Sequence, residues 1–184
     1  MLITVLDLER EPVSFDLGLP PGTIDFGEEA TQAGPLAVRG EAELIREHRG
    51  PKEVIADIRV RARWQGDFEV PCARCLDAVR HSLGGDFDLL FRPLGADAGP
   101  ADRSLAAPDT EIGYYQEEGL VLEDVLREQV LLSLPVRSLC RQDCKGLCPR
   151  CGHNLNSEPC TCEETPSDPR WGALSELRSR LEPR

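Results

Sequence analysis

Aromatic side chains make up only 5 % of this 184-residue chain, and hydrophobic residues of all kinds reach 40 %. Set beside 16 glycines and 15 prolines, that supply argues against a helical bundle and for a β-rich or loop-rich protein. Positive charge is scarce too. Lysine and arginine total 21 against 33 acidic residues, giving a net charge of −12. That balance argues against a protein that coats polyanions, since nucleic-acid affinity rests largely on phosphate neutralisation. No apolar run approaches the ~20 residues of a membrane span. The opening MLITVLDLEREPVSF has no basic start and is interrupted by Asp7, Glu9 and Arg10, so neither signal peptide nor membrane segment is expected. The expected location is the cytoplasm, where clustered cysteines serve metals or catalysis more often than disulfides.

Catalytic signatures are missing as well. There is no phosphate-cradling glycine loop, no nucleophile elbow and no coherent Ser/His/Asp set. An enzyme, and with it a small-molecule substrate, is not expected.

What is present reads mainly as strands. Residues 1–17 alternate loosely and predict an opening strand, with LITVLDL its best part, and LPPGTIDFGEEATQAG predicts a loop. In LAVRGEAELIREH, Leu36, Val38, Gly40, Ala42 and Leu44 share one parity, and RGPK predicts a turn. The clearest strand is EVIADIRVRARW. There Ala56, Ile58, Val60, Ala62 and Trp64 alternate with Asp57, Arg59, Arg61 and Arg63, which places three arginines on one face. QGD predicts a turn into FEVPC, and AVRHSLGGDFDLLF a further strand broken or bulged at Gly84–Gly85. After a short IGYYQ strand, LVLEDVLREQVLLSLP predicts a helix. Its apolar stripe is Leu122, Val125, Leu126 and Val130, and Glu123 and Arg127 stand four apart. In the tail, Asp168 and Pro169 begin a helical pattern that carries Trp171, Leu174, Leu177 and Leu181.

The fold class predicted is α+β: an antiparallel β-meander or partly open barrel, one packed amphipathic helix, and a cysteine-rich zinc-knuckle segment near the C-terminus. The expected divisions are a β-rich core over 1–92, a linker loop over 93–111 and a strand and helix over 112–135. A metal-binding segment over 136–165 and a helical tail over 166–184 complete the chain.

Eight cysteines carry the chemistry. Cys148 and Cys151 form a CxxC turn followed by Gly152, whose freedom to adopt positive φ lets backbone N–H groups point at sulfur. Cys160 and Cys162 complete a local tetrad. Cys140 and Cys144 then remain to join the distant Cys72 and Cys75, so the cysteines divide into two tetrads suited to two zinc ions. Open beside this are a single site built on Cys144, Cys148 and Cys151 with an outside ligand, a disulfide scaffold, an iron–sulfur cluster, redox use of Cys72–Cys75 and a thiol sensor. His153 reads as a turn residue, because the thiolates already fill the tetrahedron; His48 and His81 read as surface residues.

These residues resemble a known family. VPCARCL, LVLEDVLREQVLLSLP, LCRQDCKGLCPRCGHNLN followed by PCTC, and DPRWGALSELR are similar, in order and spacing, to the YceD-like proteins of bacteria and plastids. That family is named for accumulation of large-subunit (23S) ribosomal RNA, and the likeness covers roughly residues 36 to 184. The resemblance implies a cytoplasmic, metal-binding factor acting in ribosomal RNA maturation or stability. Its partner would be ribosomal RNA or a pre-ribosomal particle. Members with fewer distal cysteines would make the Cys72/Cys75/Cys140/Cys144 site the general one.

Candidates for a phosphate-contacting face are Arg59, Arg61 and Arg63, with Arg74 and Arg80 nearby. The alternative is that the arginine strand is a solvated face paired with Glu41, Glu43 and Glu47 across the ladder. In that case a protein partner bound through the acidic surface replaces direct RNA contact.

Overall fold

The computed structural model describes residues 1–48, 54–96, 112–116 and 118–162. In chain order its elements are β1 (Leu2–Thr4), α1 (Val5–Leu8), β2 (Val13–Leu19), β3 (Thr31–Gln32), β4 (Leu36–His48), β5 (Val54–Pro71), β6 (Ala78–Pro93), β7 (Ile112–Tyr115), β8 (Gly119–Val121) and α2 (Leu122–Ser133). Among the described residues the protein is thus mostly sheet, with two helices.

The main sheet runs β2-β4-β5-β6-β7, with β3 extending the β4 edge of β5. Pairings are antiparallel from β2 to β6, as a meander requires, while β7 lies parallel to β6. The sheet is open, and its terminal strands β2 and β7 do not pair with each other. A separate ribbon of β1 and β8 sets the N-terminus beside the start of α2.

Alternation decides the faces. In β5, Val60, Ala62, Trp64, Phe68 and Val70 are buried, while Arg59, Arg61 and Arg63 point away. The buried side joins Leu36, Val38 and Ala42 of β4 to Leu122, Val125, Leu126 and Val130 of α2 in one core. Phe68 sits at its centre, edge-on to Phe26 at 5.3 Å and to Trp64 at 6.3 Å.

Several local expectations give way to tertiary pairing. QGD is not a turn: β5 runs through it, because both neighbours, β4 then β3 on one edge and β6 on the other, continue past it. Gly84–Gly85 is neither a bulge nor a break, since register with β5 is continuous from Ile58↔Phe91 to Pro71↔Ala78. Glycine is needed there for space: a Cβ on Gly84 would lie 2.9 Å from the Trp64 carbonyl oxygen. The opening strand is split into β1, the single turn α1 and β2. The loop after β2 contributes Ile24, Phe26 and Ala30 to the core. Glu123 and Arg127 do not pair, for Glu123 binds the Met1 amine and Arg127 Nε donates to the Asp25 carbonyl at 2.6 Å. The RGPK turn, nearly all of the linker and the tail helix lie outside the described residues.

Parity also slips at the start of β5. Ala56 is only half-buried, and Asp57 is buried beside Ile58. Arg92 meets Asp57 with two hydrogen bonds, Nε to Oδ1 at 3.1 Å and Nη2 to Oδ2 at 2.9 Å, and also binds Glu47. A buried carboxylate left without its cation is costly, so Arg92→Met should destabilise the fold by about 3–5 kcal/mol. Replacing both partners, as Asp57→Leu with Arg92→Met, should cost less than the single change. Urea denaturation of the three proteins measures this, and equal losses would contradict it.

Candidate metal centre

The hairpin turn joining β5 to β6 is where the first pair of thiols is set. Cys72 N–H donates to the Asp77 carbonyl at 2.8 Å and Leu76 N–H to the Cys72 carbonyl at 3.0 Å, closing a tight loop with both sulfurs inside. After α2, the chain returns to this turn: Ala73 N–H donates to the carbonyl of buried Ser138 at 2.8 Å, and Ser138 Oγ lies 2.9 Å from His81 Nε2. That docking carries Cys140 and Cys144 to Cys72 and Cys75. The four Sγ atoms lie within 4.8 Å of one another, with Cys72–Cys144 at 3.9 Å and Cys75–Cys140 at 3.6 Å.

A second tetrad follows directly. Cys148 and Cys151 sit on a turn closed by Cys148 N–H to His153 O at 2.8 Å and Gly152 N–H to Cys148 O at 2.9 Å, and Gly152 has φ of 71°. Cys160 Sγ is 3.5 Å from both Cys148 and Cys151, and Cys162 completes a group again within 4.8 Å. His153 is not in the group. All eight cysteines are free thiols, so no disulfide joins any pair.

Metal–sulfur bonds of about 2.3 Å at tetrahedral angles place sulfurs about 3.8 Å apart, which matches these separations. The hydrogen bonding fits the same chemistry. N–H groups of Cys140 and Cys75 hold the Cys72 thiol down to about 6, against the effect of burial. Burial pushes Cys144 up, but the Asn156 amide and the Gly146 N–H outweigh it and hold this thiol below its ordinary value. Cys75 moves the other way. The Asp77 N–H favours its thiolate, but burial, the Asp77 carboxylate at 3.2 Å and the thiols of Cys72 and Cys140 push it up. In the second group, N–H groups of Cys151 and Arg150 bring Cys148 down to about 6, while the Cys160 and Cys151 thiols push Cys162 up to about 12. Within each group, thiols this close resist joint ionisation, and a bound dication would remove that conflict.

Sequence reading missed the residues that hold the two tetrads in place. Asn156 Nδ2 donates to Cys144 Sγ at 3.2 Å, and its Oδ1 accepts from Lys145 N–H and Arg141 Nη2, both at 2.8 Å. Asn154 Nδ2 reaches the Asp77 carboxylate at 3.2 Å, tying the distal knuckle to the β5–β6 turn. The only sequence cue was two asparagines inside a cysteine-rich loop.

The five candidate arginines are all engaged. Arg59 grips Asp88 with two bonds at 2.7 and 2.6 Å, and Arg63 grips Asp86 at 2.7 and 3.3 Å. Arg61 meets Glu41 at 2.7 Å and Glu43 at 3.1 Å, and Arg80 meets Asp67 at 2.7 Å. Those guanidinium bonds hold Asp88 and Asp86 below the usual carboxylate range. Arg74 instead donates to the Cys144 carbonyl at 2.7 Å, bracing the first tetrad. Glu47 pairs with Arg92.

A family model described as large ribosomal RNA subunit accumulation protein YceD matches residues 60–178, from the middle of β5 through both tetrads. An uncharacterised protein of Mycobacterium tuberculosis is 40 % identical over 106 residues, 58 % of this chain and 48 % of its own length. The chain therefore spans about half the length of the first curated relatives it matches. A Mycobacterium leprae protein, also uncharacterised, is 28 % identical over 177 residues, covering 90 % of this chain and 77 % of its own. A chloroplast protein of Arabidopsis thaliana, large ribosomal RNA subunit accumulation protein YCED homolog 1, is 35 % identical over 57 residues, 31 % of this chain and 18 % of its own length. No solved structure matches the chain.

The two CxxC turns share one backbone requirement. The residue after the second cysteine has positive φ in both, Gly152 at 71° and Leu76 at 63°. Leucine pays for that conformation with steric strain of about 1–2 kcal/mol, partly offset by the greater chain entropy glycine would lose. Leu76 is 65 % exposed, so little packing recovers the cost. Leu76→Gly should therefore stabilise the fold by about 0.5–1 kcal/mol. A urea midpoint that falls instead of rising would contradict this.

Proposed function

This chain belongs to the family of the large ribosomal RNA subunit accumulation protein YceD, and from that premise we propose that it is a non-catalytic, zinc-stapled factor supporting the accumulation of large-subunit (23S) ribosomal RNA. The observation that carries this reading is the pair of all-cysteine tetrads, each compact within 4.8 Å. A catalytic zinc keeps one position for water beside an acid or base, whereas four thiolates complete the tetrahedron. Iron–sulfur clusters spread their cysteines over several irons, and sulfurs held this close suit one ion per tetrad. Bound zinc supplies two positive charges to each group of sulfurs. Cys72, Cys75, Cys140 and Cys144 hold the first ion, joining the β5–β6 turn to the chain after α2, and Cys148, Cys151, Cys160 and Cys162 hold the second. The protein acts in the cytoplasm in this reading, in keeping with the absence, among the described residues, of any helix long and apolar enough to cross a membrane.

Elemental analysis of the purified chain should find two zinc ions per molecule, falling to about one in Cys72→Ser. One ion unaffected by that change would overturn the long-range tetrad.

Contact with the RNA is the open choice within this role. The pairing of Arg59, Arg61, Arg63 and Arg80 with carboxylates, and of Arg74 with a backbone carbonyl, favours a route through a protein partner over phosphate contact by this face. A phosphate would have to displace a bonded carboxylate at Arg59, Arg61, Arg63 and Arg80, and a backbone carbonyl at Arg74. Naked 23S ribosomal RNA should accordingly show no steeply salt-dependent binding to the purified chain, and Arg59→Gln/Arg61→Gln/Arg63→Gln should change nothing in that assay. Binding that falls steeply with salt and is lost in the triple variant would restore the arginine face as an RNA site.

A further inference from the structure

A groove of about 740 Å³ opens between β7, β8 and the first two turns of α2. It lies at the end of β6 away from the cysteines. Thirteen residue steps separate Ala78, beside the cysteine turn, from Phe91 in the groove wall, or about 43 Å at ~3.3 Å each. Apolar side chains are partly exposed there: Leu2 is 53 % exposed, Tyr114 48 % and Val121 39 %. Around them stand Glu118, Asp124 and Glu128, and no basic residue is among the described residues of the lining.

These carboxylates differ from those that hold the arginines of the sheet. Asp57, Asp67, Asp86, Asp88 and Glu41 each hold an arginine, whereas the side chains of Glu118, Asp124 and Glu128 have no hydrogen-bond or ion-pair partner among the described residues. Asp124 and Glu128 are four apart on α2, a spacing at which like charges weaken a helix. The helix dipole favours an acid in the first turn, which accounts for Asp124 but not for Glu128 or Glu118. An apolar floor ringed by unpaired acids repels nucleic acid and attracts a cationic, partly apolar chain.

We propose that this groove is a docking site for a lysine- and arginine-rich peptide segment of a partner protein, one that carries an apolar or aromatic side chain between its cations. The apolar side chain packs on Leu2, Tyr114 and Val121, and the flanking cations lie over Glu118, Asp124 and Glu128. This goes beyond the zinc-stapled reading and does not depend on which ion the tetrads hold.

The test uses the full, metal-loaded chain and a fluorescent nonapeptide, Lys-Arg-Leu-Lys-Trp-Lys-Leu-Arg-Lys, with binding followed by anisotropy. Saturable one-to-one binding is expected, weakened at least about tenfold in Glu118→Gln/Asp124→Asn/Glu128→Gln and unchanged in Asp86→Asn/Asp88→Asn. A peptide with serine in place of its leucines and tryptophan should also bind at least about tenfold more weakly. Glu128→Gln alone, at an exposed helix position, should show a smaller loss in the same direction if the triple variant folds poorly by circular dichroism. Absence of saturable binding, or equal loss in the Asp86/Asp88 control, would overturn the proposal. So would self-association of the chain that the triple variant abolishes, since the groove would then belong to a second copy.

Discussion

Four sulfurs from two segments more than sixty residues apart come within 4.8 Å of one another, and most of the molecule serves that meeting. Sulfurs at 3.6 to 3.9 Å cannot all be anions unless a cation sits among them. Bringing these segments together closes one long stretch of chain, which costs entropy that the packing on either side must offset. The sheet provides one half of the arrangement, through a hairpin turn rigid enough to aim Cys72 and Cys75 together. The helix α2 provides the other, because its four buried side chains fix where the chain leaves the core before Cys140. Ser138, Arg74, Asn154 and Asn156 then fasten the returning segment by backbone and side-chain hydrogen bonds.

Charge is arranged around the same plan. The outer face of β5 looks basic in sequence, yet Asp86 and Asp88 of β6 and Glu41 and Glu43 of β4 turn it into a mixed ladder. Exposed pairs of this kind add little stability each, and they leave the face close to neutral. The net negative charge is therefore expressed elsewhere, and part of it lines the groove beside α2. The protein so has a sulfur-rich end, where two cysteine tetrads are compact enough to hold a metal ion each, and an acidic, partly apolar end remote from it. A neutral sheet face runs between them.

Features with a local signal were legible in the sequence. The period of two in Ile58–Trp64, the apolar stripe of α2 and the positive φ at Gly152 follow from spacing alone. Spacing also suggested dividing eight cysteines into two fours but left a single site open beside that division, and the structure groups them as two fours. Family membership, first seen as a resemblance in the cysteine segment, is shown by the match over residues 60–178. Features that depend on a distant partner were not legible. Asp57 reads as the polar side of a strand until Arg92 is placed against it, and QGD reads as a turn until two neighbouring strands hold it extended. Ile24 and Phe26, isolated in a stretch of proline and glycine, carry no period, yet Phe26 packs on the central Phe68. Only the acidic partners from β4 were anticipated for the arginines, because Asp86 and Asp88 enter the ladder through the β5–β6 register.

The central claim is that each tetrad binds one zinc ion through sulfur alone. Zinc-edge X-ray absorption on the purified full chain tests it most directly. The account predicts four sulfur neighbours per zinc at about 2.3 Å and no nitrogen or oxygen in the first coordination shell. A mixed shell, with nitrogen or oxygen replacing one or more sulfurs at about 2.0–2.1 Å, would contradict it.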